Sequence, residues 1–135
     1  MIIDSTVLKE LILSNNNKYN KIRKKFEEGE LAIRIPDAVK YDFFEMIVNE
    51  NIPEKHFTKL AELVVKYLEY LTVNLDRSQI INAIDLCRKL KVDFQVASCL
   101  VLANSFMDMY VTANRELVEK LRKNGYSVLH IDEIL

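Results

Sequence analysis

Glycine and proline are scarce, with two of each in 135 residues. An all-β domain places turn signals about every 8–12 residues, so this scarcity points to long helices and short loops. Gly29 and Gly125 stand too far apart for a GxGxxG or P-loop phosphate cradle. There is no Gly-x-Ser-x-Gly nucleophile elbow. The two cysteines, Cys87 and Cys99, fall in apolar helical surroundings without metal-ligand spacing, and they are expected to be reduced core residues of a cytoplasmic protein. His56 and His130 have no acid or nucleophile at local spacing and are read as surface or edge residues. The net charge of −1 excludes a general basic field, so a nucleic-acid role would need a local patch. The sequence shows no signal peptide and no bilayer-spanning apolar run, so no membrane association is expected. What is present is ordinary for a globular core: 50% hydrophobic and 29% charged residues.

The chain opens on Met1, Ile2 and Ile3, a short apolar strand that ends in Asp4, Ser5 and Thr6 before helical spacing begins at Val7, Leu8 and Leu11. In an open sheet covered by helices, side chains at the carboxyl ends of strands line the ligand crevice. Asp4 is therefore either a helix cap or the first carboxylate of a site. Tyr19, Ile22 and Phe26 then recur at helical spacing among Lys18, Lys21, Arg23, Lys24 and Lys25, giving an amphipathic helix with a basic outer face that Gly29 ends.

Residues 31–35 are predicted to form a strand, and Pro36 opens the next helix. That helix is apolar nearly all round, which predicts burial, save for a stripe at Asp42, Glu45 and Asn49. Pro53 starts a longer helix with Phe57, Leu60, Ala61, Val64, Tyr67, Leu68 and Leu71 on one face. A short strand is allowed at residues 72–75. Asp76 or Ser78 then caps a helix whose core face is expected at Ile80, Ile81, Ile84, Cys87 and Leu90. Asp93 caps an almost wholly apolar helix with a polar edge at Gln95 and Ser98. A strand at residues 109–111 ends in Thr112, Ala113 and Asn114, a last helix closes at Gly125, and residues 126–129 form the final strand. Strands separated by helices imply crossovers, and hence an α/β fold with a mostly parallel central sheet of four or five strands. The acids and amides at strand ends and on buried helices are Asp4, Asp42, Glu45 and Asn114, oxygen donors that suit Mg²⁺ or Mn²⁺.

Five segments, in order over the whole chain, resemble the PIN domain of the VapC-type toxin class. "IIDSTVL" is similar to that family's strand followed by Asp and small hydroxyl residues, and "YDFFEMIVNEN" to its acidic helix. "LKVDFQVASCLVLAN" looks like its third signature helix, and "MYVTANRELVEKL" like its strand followed by Thr-x-Asp. "GYSVLHID" fits its closing strand.

The resemblance implies a single PIN-like three-layer α/β/α domain over residues 1–135. It implies a Mg²⁺- or Mn²⁺-dependent endoribonuclease with four acids around the metal, of which Asp4 and Glu45 are kept. The other two fall on Val96 and Asn114. Asp4, Glu45 and Asn114 are thus the candidate catalytic and metal-holding residues. Thr112, Ser5, Asp42 and Asp93 are the supporting candidates. Lys21, Lys24 and Lys25 are the candidates for guiding RNA. Loss of two acids implies weak or lost catalysis. The alternative is an inactive module that binds RNA or an antitoxin-like protein. A homodimer is expected, with the long helix from Pro53 to Leu71 as one candidate surface.

Overall fold

The computed structural model describes residues 1–51 and 53–134; the side chains of Lys55, His56, Lys59, Leu60 and Leu63 lie outside that description, and with them the expectations for His56 and Leu60. The elements in chain order are β1 (Ile2–Ile3), α1 (Ser5–Leu13), α2 (Asn17–Glu27), β2 (Ile35–Pro36), α3 (Asp37–Asn49), α4 (Glu54–Leu71), β3 (Thr72–Val73), α5 (Arg77–Leu90), α6 (Phe94–Phe106), β4 (Tyr110–Thr112), α7 (Arg115–Lys123) and β5 (Val128–His130), followed by a 3₁₀ turn at Ile131–Glu133.

All strand pairs are parallel. β1, β4 and β5 form one piece of sheet in that order, β2 and β3 form a second, and a bridge between Ile2 and Arg34 joins the two. The spatial order is thus β3-β2-β1-β4-β5. The sheet is smaller than a continuous one of four or five strands, but the expected α/β class is the one observed. Each connection carries helices across the sheet. By the right-handed rule for parallel crossovers, α1–α4 belong to one face and α5–α7 to the other. The chain reverses direction between β1 and β4, which is the switch point where such folds open a crevice.

The strands are short, and polar residues stand at the sheet's carboxyl edge: Asp4 follows Ile3 at the end of β1, and Thr112 is the last residue of β4. Ile2, Ile3, Tyr110 and Val111 are fully buried between the helical layers. α6 covers the sheet with residues 96–103 all buried, as its unbroken apolar sequence predicts. Asp76 closes the capping box of α5 with Gln79, its carboxylate accepting from the Gln79 N–H at 2.8 Å. At the end of α7, Gly125 takes a left-handed φ of +85° and Tyr126 N–H reaches back to the Leu121 carbonyl at 3.0 Å, so the glycine ends the helix as expected.

Two helices differ from their sequence pattern. α3 is not buried all round: Val39, Phe43 and Ile47 face the core, while Tyr41 and Val48 are exposed. α5 turns Ala83 and Leu90 inward against α6 and leaves Ile80, Ile81 and Ile84 at 39%, 58% and 51% exposure. Periodicity located an apolar stripe on α5 correctly but could not say which stripe met the protein, because small Ala83 lets α5 approach α6 closely and wins the inner position. His130, expected at the surface, is buried. Its Nδ1 accepts from Asp132 N–H at 3.1 Å, so its Nε2 carries the proton and donates to the Ala113 carbonyl at 3.2 Å. Among the described residues no helix is long and apolar enough to cross a membrane.

The contrast along α3 gives a direct test. Phe43→Ala, at a position with no exposure, should cost about 3–5 kcal/mol. Val48→Ala, at 74% exposure on the same helix, should stay within about 0.5 kcal/mol. Urea unfolding of both variants measures the difference; equal costs would mean that α3 packs by another face.

Candidate functional site at the sheet switch point

Asp4 stands at the end of β1, beside the end of β4, and is 2% exposed. Both of its carboxylate oxygens are engaged. Oδ1 caps α1, accepting from the Thr6 and Val7 N–H groups at 3.0 and 3.4 Å and from the Thr6 hydroxyl. Oδ2 accepts from the Tyr110 phenol at 2.6 Å. The proton directions follow. Since Thr6 donates to Asp4, its Oγ1 accepts from Ala113 N–H at 3.0 Å and, at 3.3 Å, from the Thr112 hydroxyl. Thr112 Oγ1 in turn accepts from Asn114 N–H at 3.2 Å. The chain Tyr110–Asp4–Thr6–Thr112 is therefore closed on itself and ties β1, α1 and β4 together.

The surroundings of Asp4 are hostile to further charge. Burial pushes the Tyr110 phenol well above its usual range, with the Cys99 and Asp4 charges adding to the effect. Burial also pushes the Cys99 thiol far up, helped by Asp4. Cys99 lies on α6 against β1, its Sγ 3.7 Å from the Ile3 carbonyl.

The other candidates lie around this lock rather than in it. Ser5 is buried, and its N–H donates to Gln95 Oε1 at 3.2 Å. The same side chain's Nε2 donates to Asp42 Oδ2 at 3.0 Å. Gln95 thus bridges Asp4's neighbour to the acids of α3. Beyond it opens a groove of about 420 Å³ lined by Asp37, Tyr41, Asp42, Glu45, Asp93 and Phe94. Glu45 is exposed there. Asp93 precedes α6 without a side-chain capping bond. Asn114 is exposed and spends its Oδ1 on capping α7 through Leu117 N–H at 3.1 Å. Val96 is buried in the core. Lys21, Lys24 and Lys25 are exposed on α2, where Lys24 stands 3.8 Å from Glu28. Arg23 turns away from that basic face to hold the end of α1 through the Leu11 and Ser14 carbonyls.

Mg²⁺ is held by one or two carboxylates, with water and substrate oxygens completing its shell. Among the described residues no three His, Cys, Asp or Glu side chains stand close enough to hold a metal ion. Asp4 already accepts a hydrogen bond on each of its oxygens and is 2% exposed.

Tyr110 and Gln95 are the members of this arrangement that the sequence did not mark. Tyr110 sits inside an apolar strand and meets Asp4 across 106 residues of chain. Gln95 stood out only as the polar edge of α6, one residue from the position compared with the family's third acid.

No protein-family model matches the sequence, and no curated protein matches it. Solved structures share the fold. PAE2754 from Pyrobaculum aerophilum superposes with a TM-score of 0.66 at 17% identity, over 98% of this chain and 91% of that one. A chain of a toxin–antitoxin complex from Klebsiella pneumoniae superposes with a TM-score of 0.58 at 16% identity, over 84% of this chain and 85% of its own.

The lock should be measurable. Tyr110→Phe leaves a buried carboxylate oxygen without its donor, at a cost of about 1–3 kcal/mol. Its pH signature has a definite sign. A tyrosine in the unfolded chain ionises near pH 10, whereas folded Tyr110 holds its proton well above that. Its stabilising contribution is complete below about pH 10 and declines as pH rises further, because the unfolded state releases the proton first. Melting temperatures from pH 8 to 11 should therefore fall more steeply in the wild type than in Tyr110→Phe. Parallel curves would mean that the phenol is not held as described.

Proposed function

We propose that this chain is a PIN-like, VapC-related protein that has given up metal-dependent RNA cleavage and works by binding a protein partner of the antitoxin type. The engagement of both Asp4 oxygens carries the first half. A PIN-type reaction would need Asp4 and its neighbours to hold a divalent ion that activates water and neutralises phosphate charge. Here the Tyr110 phenol donates to Asp4 Oδ2 and competes with such an ion for it, Val96 offers no ligand, and Asn114 is occupied at the start of α7. Thr112, a supporting residue in the family the chain resembles, serves the hydrogen-bond lock instead, and Ser5 donates its backbone N–H to Gln95.

The second half is supported by the intact fold and by a surface feature distant in kind from the acids. α1, α2 and α4 surround an apolar depression of about 200 Å³, lined by Leu8, Ile12, Phe26, Val64, Tyr67 and Leu71. Its lining is almost wholly hydrocarbon, with Arg23 and Glu27 at its edge. A site of this size accepts one or two apolar side chains from a docking segment. The likeness to a chain of a toxin–antitoxin complex agrees with a partner of that kind. The exposed lysines of α2 keep an RNA-binding module as the second reading.

Incubation of single-stranded RNA with the protein and Mg²⁺ or Mn²⁺ tests the proposal, with Asp4→Asn as control. No metal-dependent product above the control is expected, and Mn²⁺ should leave the melting temperature unchanged. Cleavage that needs metal and disappears in Asp4→Asn overturns the reading. Retention of RNA in a gel shift, lost when Lys21, Lys24 and Lys25 are replaced by Glu, would replace the protein partner with RNA.

A further inference from the structure

The depression between α1, α2 and α4 reaches further into the molecule than a surface dimple. Leu8, Val64 and Leu71 line it, and they are core residues at 1%, 2% and 4% exposure. Protein interiors have few gaps larger than a water molecule, yet this one measures about 200 Å³. An apolar cavity of about 150 Å³ stays dry when empty and takes up benzene. The space here is that of one aromatic ring with a small substituent or a fused second ring. Phe26 and Tyr67 wall one side of it, their rings 5.8 Å apart and tilted at 52°. Such a pair offers a ring face and a ring edge to an aromatic guest.

Three polar groups stand at the rim: the Arg23 guanidinium, the Glu27 carboxylate and the Tyr67 phenol. Arg23 is already engaged, donating to the Leu11 and Ser14 carbonyls and to the Asn20 side chain. Burial lifts the Tyr67 phenol above its usual range and the Glu27 charge adds to the effect, which places that carboxylate near the phenol. Glu27 itself is exposed and has no ion pair among the described residues. An ionised carboxylate only accepts hydrogen bonds, so it asks a guest for a donor.

We infer that this depression is a binding site for a small neutral aromatic molecule carrying one O–H or N–H donor, of the phenol or indole class. Its ring lies among Leu8, Val64 and Leu71, and its donor meets Glu27. A ring that carries a carboxylate would set its charge against Glu27, and a plain hydrocarbon would leave Glu27 without a donor. The inference goes beyond the protein-partner reading, because the molecule binds the chain on its own. While bound, it closes the depression to a docking side chain.

Methyl-resolved NMR and thermal melting of the full chain, with phenol, indole, benzene and benzoate as probes, form the test. Phenol and indole should bind saturably and raise the melting temperature. They should shift the methyl signals of Leu8, Ile12, Val64 and Leu71 and leave those of Ile80 and Ile84 on α5 in place. Benzoate should shift none of these. Glu27→Leu changes an exposed position. It should weaken phenol by at least about tenfold, the loss of a hydrogen bond to a charged group, without weakening benzene. If no probe shifts the four methyl groups, or the shifts fall on α5 instead, the site is overturned. If benzoate binds as well as phenol, or phenol binds Glu27→Leu as tightly as the wild type, the ligand class is overturned.

Discussion

A carboxylate removed from water must have its charge met by donors, or the fold that buries it will not form. Asp4 imposes this condition on the whole centre of the molecule. Its donors come from the first turn of α1 and from the Tyr110 side chain on β4, so the start of the chain and its last third have to be assembled together. The parallel register of β1 with β4 brings Tyr110 within reach, and α6 closes the space from the other side with Cys99. A sheet of two- and three-residue strands has few ladder bonds of its own. The Asp4 network supplies side-chain bonds in the same place, between the same elements.

The same condition underlies the proposed loss of a metal crevice at this switch point. There, carboxylates repel one another and an ion offsets the repulsion. Here a phenol, one threonine hydroxyl and two backbone N–H groups donate to a single carboxylate. The acids of α3 and Asp93 lie outside the lock and line an open groove. Gln95, donating to Asp42 and accepting from Ser5, separates the buried acid from the exposed ones.

Much of this was legible in the chain. The Ile-Ile-Asp opening, the apolar run of α6 and the Tyr-Val-Thr strand are local signals, and each lies where its pattern places it. Asp4 as a cap was equally legible, since Ser and Thr follow it at the start of a helix. The partner of its second oxygen was not, because nothing in an apolar strand reveals which tyrosine will turn its hydroxyl towards an acid more than 100 residues away. The faces of α3 and α5 escaped for a different reason. Both helices carry apolar residues on more than one side, so a period of 3.6 identifies a helix without choosing its inner surface. Ala83 made that choice on α5 by permitting close approach, and the larger isoleucines were left outside.

The two thiols of the chain experience this architecture unequally. Cys87 is half-buried on α5, whereas Cys99 is sealed between α6 and β1 with its pKa driven far up by burial and by Asp4. A thiol-reactive reagent at neutral pH therefore meets one sulfur in the native molecule and the second only when helix and sheet part. The delay between the two modifications is a clock for the opening of the central layer. It can be read by mass alone, in a protein that carries no tryptophan to report on its own unfolding.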